Sequence, residues 1–115
     1  MELDEAAFER LAQATLLRWG DHLEDDGPEG LECEQAPGTL TLTPAGAGTF
    51  LLSKHAPLRQ LWYSSTLSGA SHYAWDGTSR AWLSTRGGDD LATLLADELH
   101  QATGQRVLLP AIEAA

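Results

Sequence analysis

At 115 residues with a formal net charge of −10, the chain is long enough for one hydrophobic core, and its charge weighs against nucleic acid or anionic membrane as partner. A hydrophobic fraction of 43% and a charged fraction of 21% are those of a globular protein, and no apolar run approaches the roughly 18 residues of a membrane span. The single cysteine, Cys33, excludes an intramolecular disulfide and a cysteine-rich metal site.

The first thirty-four residues hold eleven of the seventeen acids, against only Arg10 and Arg18. Nearly all of the net charge therefore sits there, and such an asymmetry speaks of partners: a metal cation or a basic protein surface. The same stretch carries a helical stripe, Phe8, Leu11, Ala12, Thr15, Leu16, Trp19 and Leu23, with Asp4 as N-cap and Gly27-Pro28 as the stop. Glu9, Asp21, Glu24 and Asp25 fall on the opposite side. A solvated helix face is the plain reading of such acids. Against it, Glu24-Asp25-Asp26 crowd the helix C-terminus, where the dipole disfavours negative charge, and the acids continue through Glu29, Glu32 and Glu34. No leader pattern precedes this helix, so a chain starting at Met1 is expected in the cytoplasm; a mitochondrial matrix protein with its presequence removed would read the same.

Leu31-Glu32-Cys33-Glu34 alternates as a half-buried strand, with Cys33 a small core hydrophobe or a reactive thiol. Thr39 to Thr43 completes a hairpin across Ala36-Pro37-Gly38. Pro44 to Gly48 is a loop, and Thr49 to Ser53 a third strand broken by His55-Ala56-Pro57. Arg59 to Ser65 makes a fourth strand with Gln60, Trp62 and Ser64 on one face and Leu61 and Tyr63 on the other. Periodicity alone leaves open which of these faces is buried. Ser71 to Trp75 is a fifth strand, Asp76-Gly77 a hairpin signal, and Arg80 to Ser84 a sixth. Asp89 or Asp90 caps a second helix whose stripe is Leu91, Leu94, Leu95, Leu99 and Ala102, stopped by Gly104. The apolar tail, Val107, Leu108, Leu109 and Ile112, is expected to pack along the groove between the helices. The fold class is α+β: one domain over residues 1–115, a two-layer sandwich with both helices on one face of an antiparallel sheet of about six strands.

No active site is legible. His22, His55, His72 and His100 lack metal-ligand spacing, no serine sits in a nucleophile elbow, and the acids are too wet to be tuned for acid–base work. Exposed carboxylates do suit hard cations such as iron, bound weakly and at several places.

Several segments together resemble the frataxin family, called CyaY in bacteria. They are Leu3 to Ala12, Glu24-Asp25-Asp26, Leu31 to Glu34, Gly38 to Thr41, Ser53 to Pro57, Arg59 to Ser65, Ser68-Gly69, Tyr73-Ala74-Trp75 and Leu94 to Leu99. The resemblance implies a small iron-binding protein of iron–sulfur cluster assembly; it is expected to have no catalysis of its own, with weak ferroxidase activity left open by the resemblance. Such a protein docks on the cysteine desulfurase and scaffold complex and modulates sulfur transfer and iron delivery. It implies surface metal ligands at Glu5, Glu9, Asp21, Glu24, Asp25, Asp26, Glu29 and Glu32, holding Fe2+ or Fe3+ weakly. Gln60, Trp62 and Ser64 then form the partner-binding sheet surface, and the protein is a monomer when iron-free. Alternatives are a pure interaction module with incidental iron binding, and an iron store or ferroxidase acting through oligomers. Gly30 where the family often has an acid, His72 where mitochondrial members have a basic residue, and Arg18 within the ridge depart from the pattern.

Overall fold

The computed structural model describes residues 4–46 and 48–112. Glu2 and Leu3 of the opening segment, Ala47 of the loop and the last three residues of the tail lie outside the described residues.

The N-terminal stripe forms α1 (Glu5–Asp26). Asp4 caps it, its Oδ1 accepting from the Ala7 N–H at 2.7 Å, and at the other end the Gly27 N–H donates to Leu23 O at 3.1 Å. The expected stripe is buried throughout, joined by Gly20. A β-carbon on Gly20 would stand 2.7 Å from Gln35 Cδ, so the missing side chain lets the helix lie close on the first strand.

Six strands follow as an antiparallel meander in sequence order: β1 (Leu31–Ala36), β2 (Thr39–Pro44), β3 (Phe50–His55), β4 (Gln60–Ser65), β5 (Gly69–Asp76) and β6 (Ala81–Ser84). Three boundaries move by two residues from the sequence reading, and others by one. β1 runs on to Ala36, whose register partner is Thr39. β3 continues through Lys54 and His55, paired with Leu61 and Gln60; Lys54 points to the helix layer, where its ammonium meets Glu9 of α1. β5 begins at Gly69, opposite Ser65. In each case ladder pairing outweighed the local turn signal.

The closing helix α2 (Leu91–Thr103) starts at Asp90, whose side chain makes no capping bond to the backbone, and ends at Gly104 in the left-handed region at φ 75°. Of its stripe, Leu91, Leu95 and Leu99 are buried, while Leu94 and Ala102 only partly are. Both helices cover the same sheet face, on which Leu40, Leu42, Phe50, Leu52, Leu61, Tyr63, Tyr73 and Trp82 make one core. Polar groups inside it are paired, as burial requires. Trp82 Nε1 donates to Thr15 Oγ1 at 3.0 Å, Thr15 Oγ1 donates to Leu11 O at 2.8 Å, and the Tyr63 hydroxyl donates to Glu98 Oε1 at 2.7 Å. Glu98, a buried carboxylate of α2, was not singled out from sequence because it reads there as one more surface acid.

Val107 and Ile112 of the tail are buried and Leu109 is partly so. Trp19 Nε1 of α1 donates to Pro110 O at 3.0 Å, and residues 106–109 run beside Ala92, Ala96 and His100 of α2. Leu108 departs from the expected packing: at 76% exposure it points away from the core.

Candidate functional site

Two surfaces carry the residues singled out from sequence, and neither is a cleft. The first is the edge formed by α1 and β1. Glu5, Asp21, Glu24, Asp25, Asp26, Glu29 and Glu32 are exposed and Glu9 is half-buried. With 1.5 Å per residue, Glu9 and Asp21 lie about 18 Å apart along the helix axis. The eight acids therefore form two groups, not one: Glu5 and Glu9 near the helix start, and the remaining six around the helix end and the start of β1.

The groups differ in how free their charge is. Glu9 is engaged by Lys54, which removes it from the set of uncommitted anions. Asp21 Oδ1 accepts from Gln35 Nε2 of β1 at 3.0 Å. The Glu29 backbone N–H donates to Gln105 Oε1 at 3.3 Å, anchoring the loop after α1 to the end of α2. The Lys54–Glu9 pair is the ion pair found among the described residues, so no cation among those residues neutralises the charge of Glu24, Asp25, Asp26, Glu29 or Glu32 at contact. Among the described residues no three acidic, histidine or cysteine side chains converge on one point in a manner that could hold a metal. Strand alternation sends Glu32 and Glu34 outward and Leu31 and Cys33 toward the helix. The Cys33 thiol is pushed up to about 11, first by burial and then by the Glu24 charge, so it is a protonated, unreactive group at neutral pH.

The second surface is the sheet face away from the helices. The burial of Leu61, Tyr63 and Ser65 settles the orientation of β4: Gln60, Trp62 and Ser64 lie on the open side. Trp62 is not isolated there. Its indole stacks on His55 with ring centroids 3.9 Å apart and on His72 at 4.3 Å, each pair within 15° of parallel. Its Nε1 donates to Gln60 Oε1 at 3.0 Å. The strand register builds this stack. His72 is directly opposite Trp62, and His55 is opposite Gln60, diagonal to Trp62 and within reach of a ring. The sequence marks His72 only as a departure from the family pattern and does not join it or His55 to Trp62, because metal spacing is read along the chain; the signal that could have joined them was the register of β3, β4 and β5.

Set beside known proteins, the chain gives consistent matches. The model of the frataxin-like domain matches residues 1–105. A mitochondrial frataxin of Arabidopsis thaliana is 34% identical over 111 residues, 93% of this chain and 59% of that protein. One of Dictyostelium discoideum is 38% identical over 72 residues, 63% of this chain and 37% of that protein. The chain thus spans less than two thirds of the length of these relatives. Among solved structures, a frataxin from Psychromonas ingrahamii superposes with a TM-score of 0.80 at 23% identity, covering 92% of this chain and 97% of that one, a likeness of fold. A trimeric frataxin from the yeast Saccharomyces cerevisiae, complexed with ferrous iron, superposes with a TM-score of 0.66 at 27% identity, covering 91% and 90%. The two helices on a six-stranded open sheet, the motifs from Ser53 to Ser65 and the family match over almost the whole chain lead to one conclusion: the protein belongs to the frataxin family.

Proposed function

We propose that this protein is an iron-binding regulator of iron–sulfur cluster assembly. It docks on a cysteine desulfurase and its scaffold protein and modulates sulfur transfer and iron delivery. The observation that carries the reading is the group of acids from Asp21 to Glu32, exposed and without cationic partners among the described residues, on the helix end and edge strand of a frataxin fold. Carboxylate oxygens are hard donors that suit Fe2+ and Fe3+. Without convergence the iron is cargo, held by one or two carboxylates at a time and readily passed on. The yeast relative complexed with ferrous iron supports the choice of metal. The same charge attracts a basic face of the desulfurase, and Gln60, Trp62 and Ser64 supply the scaffold contact.

The absence of a convergent metal cluster among the described residues favours one second reading, an interaction module whose iron binding is incidental. A desulfurase assay with and without this protein, each with and without Fe2+, separates the two: the first reading requires an iron-dependent change in sulfur-transfer rate, the second an iron-independent one. The triple variant Asp21→Lys, Glu24→Lys and Asp25→Lys is expected to lose most binding to the desulfurase while keeping the wild-type fold. Raised salt should slow association far more than dissociation, since a surface attraction is screened over about 8 Å at physiological ionic strength. Wild-type affinity in the triple variant would end the electrostatic account.

A further inference from the structure

A cavity of about 130 Å3 lies where α1, the β5–β6 hairpin, the start of α2 and the C-terminal tail meet. Three tryptophans, Trp19, Trp75 and Trp82, wall it together with the tail from Leu109 to Ile112. None of the residues singled out for metal or partner binding lines it. Its size suits a small hydrocarbon group, since an apolar cavity of about 150 Å3 holds benzene. The walls offer little to water. Trp19 Nε1 already donates to Pro110 O at 3.0 Å and Trp82 Nε1 to Thr15 Oγ1 at 3.0 Å, whereas a buried water needs at least two polar partners. An apolar group filling the space gains the dispersion contacts that a void forfeits. Two charged residues complete the lining: Arg80 from the turn between β5 and β6, and Asp90 from the position before α2. Arg80 is exposed and Asp90 half-buried, and neither joins an ion pair among the described residues. Asp90 makes no capping bond to the helix backbone; its Oδ1 accepts from the Thr93 hydroxyl at 2.6 Å. A purely cationic ligand would be repelled by Arg80, and a purely anionic one by Asp90. A ligand with both signs beside an apolar body meets neither objection.

We propose that the cavity walled by Trp19, Trp75 and Trp82 binds a free α-amino acid with a branched aliphatic side chain. The hydrocarbon lies among the tryptophans, the α-carboxylate pairs with Arg80 and the α-ammonium with Asp90. Both pairs are charge-assisted, the stronger class of hydrogen bond, although the exposure of Arg80 screens its share. The side chain supplies the apolar contact and the α-carbon carries the two opposite charges, so one small molecule satisfies the whole lining. Bound there, it touches α1, the β5–β6 hairpin, α2 and the tail together and stabilises the folded chain by mass action. The site is separate from the acidic edge and from the open sheet face, and the inference does not rest on the function proposed above.

The test titrates 15N-labelled full-length protein at neutral pH with three probes that share one hydrocarbon body: L-leucine, isocaproate, which lacks the ammonium, and isoamylamine, which lacks the carboxylate. Leucine is expected to shift the indole N–H signals of Trp19, Trp75 and Trp82 and to spare the amides from Glu24 to Glu32. Each of the other two probes should bind more weakly than leucine by about 1.5- to 5-fold, the range for one exposed ion pair. Two variants assign the charges. Arg80→Asn places a residue that tolerates the left-handed backbone at φ 54°, and Asp90→Asn keeps a favourable helix N-cap. Each should weaken leucine binding by the same factor, while Arg80→Asn binds isoamylamine no more weakly than wild type does and Asp90→Asn likewise isocaproate. The inference is overturned if saturating leucine leaves the three indoles unmoved. It is equally overturned if either single-charge probe binds as tightly as leucine, or if both variants keep wild-type affinity for leucine. None of these outcomes involves iron or a desulfurase, so a negative sulfur-transfer assay and a negative titration remain separate results.

Discussion

Strand β4 shows the two faces of the sheet side by side. Leu61, Tyr63 and Ser65 look into the helix layer and are buried; Gln60, Trp62 and Ser64 alternate with them and look out. Both faces carry an aromatic residue with a polar group, and each satisfies it differently. Beneath the helices, the Tyr63 hydroxyl and the Trp82 indole find buried partners in Glu98 and Thr15, and among the described residues no buried side-chain polar atom lacks one. On the open face, Trp62 uses neighbours within its own surface: Gln60 for its N–H and two histidines for its ring faces. A tryptophan of the first kind fills space between layers. One of the second kind is held in a fixed attitude toward solvent, as a contact surface should be.

The largest expected difference between the faces lies in the tryptophans themselves. Trp82 is 2% exposed and meets Phe8 and Trp75 edge-to-face. Replacing it by alanine should cost about 3–5 kcal/mol of stability, whereas Trp62→Ala should cost only the stacking, about 0.5–1.5 kcal/mol for each of its two imidazole pairs. Denaturant unfolding of the two variants measures both, and equal losses would abolish the distinction drawn between the faces.

The same alternation can be read chemically on β1. Cys33 faces inward with its thiol raised from the ordinary 9.0 to about 11. At pH 8 it should react with iodoacetamide on the order of 100-fold more slowly than free cysteine, in proportion to its thiolate fraction. A Glu34→Cys probe in a Cys33→Ala background, one residue along and facing out, should react nearly as fast as free cysteine. The folded value lies above the unfolded one, so the stability linked to a protonated Cys33 is whole below about pH 9 and is lost as pH rises toward about 11. Cys33→Ala removes that alkaline loss. Equal alkylation rates at positions 33 and 34 would mean that β1 is not held against α1.

The smallest contrast is between Tyr63→Phe and Ser64→Ala. The first leaves the Glu98 carboxylate, 4% exposed, without its hydroxyl donor and should cost about 1–3 kcal/mol. The second deletes an exposed hydroxyl and should stay within about 0.5 kcal/mol of wild type. A neutral Tyr63→Phe would show that water replaces the lost donor, and that the sheet–helix seam is wetter than its burial indicates.

Much of the architecture was written in local patterns. The 3.6-residue stripe from Phe8 to Leu23, the Asp4 cap, the Gly104 stop and the two-residue alternation of β2 and β4 are properties of neighbouring residues. They depend on backbone geometry that every chain shares, so the two-layer class and the exposure of the acids from Asp21 to Glu34 followed from the sequence. The motifs that identify the family were likewise contiguous. Contacts between residues far apart in the chain were decided by the tertiary structure. The pairing of Glu9 with Lys54, the seating of Glu98 under Tyr63 and the close approach of Gly20 to Gln35 each need two elements brought together by the core, and a one-dimensional pattern carries no distance between elements. The histidine stack is the clearest case. Its three rings come from β3, β4 and β5, seven and ten residues apart in the chain, and only the antiparallel register, set by which side chains the core must bury, lays them one upon another.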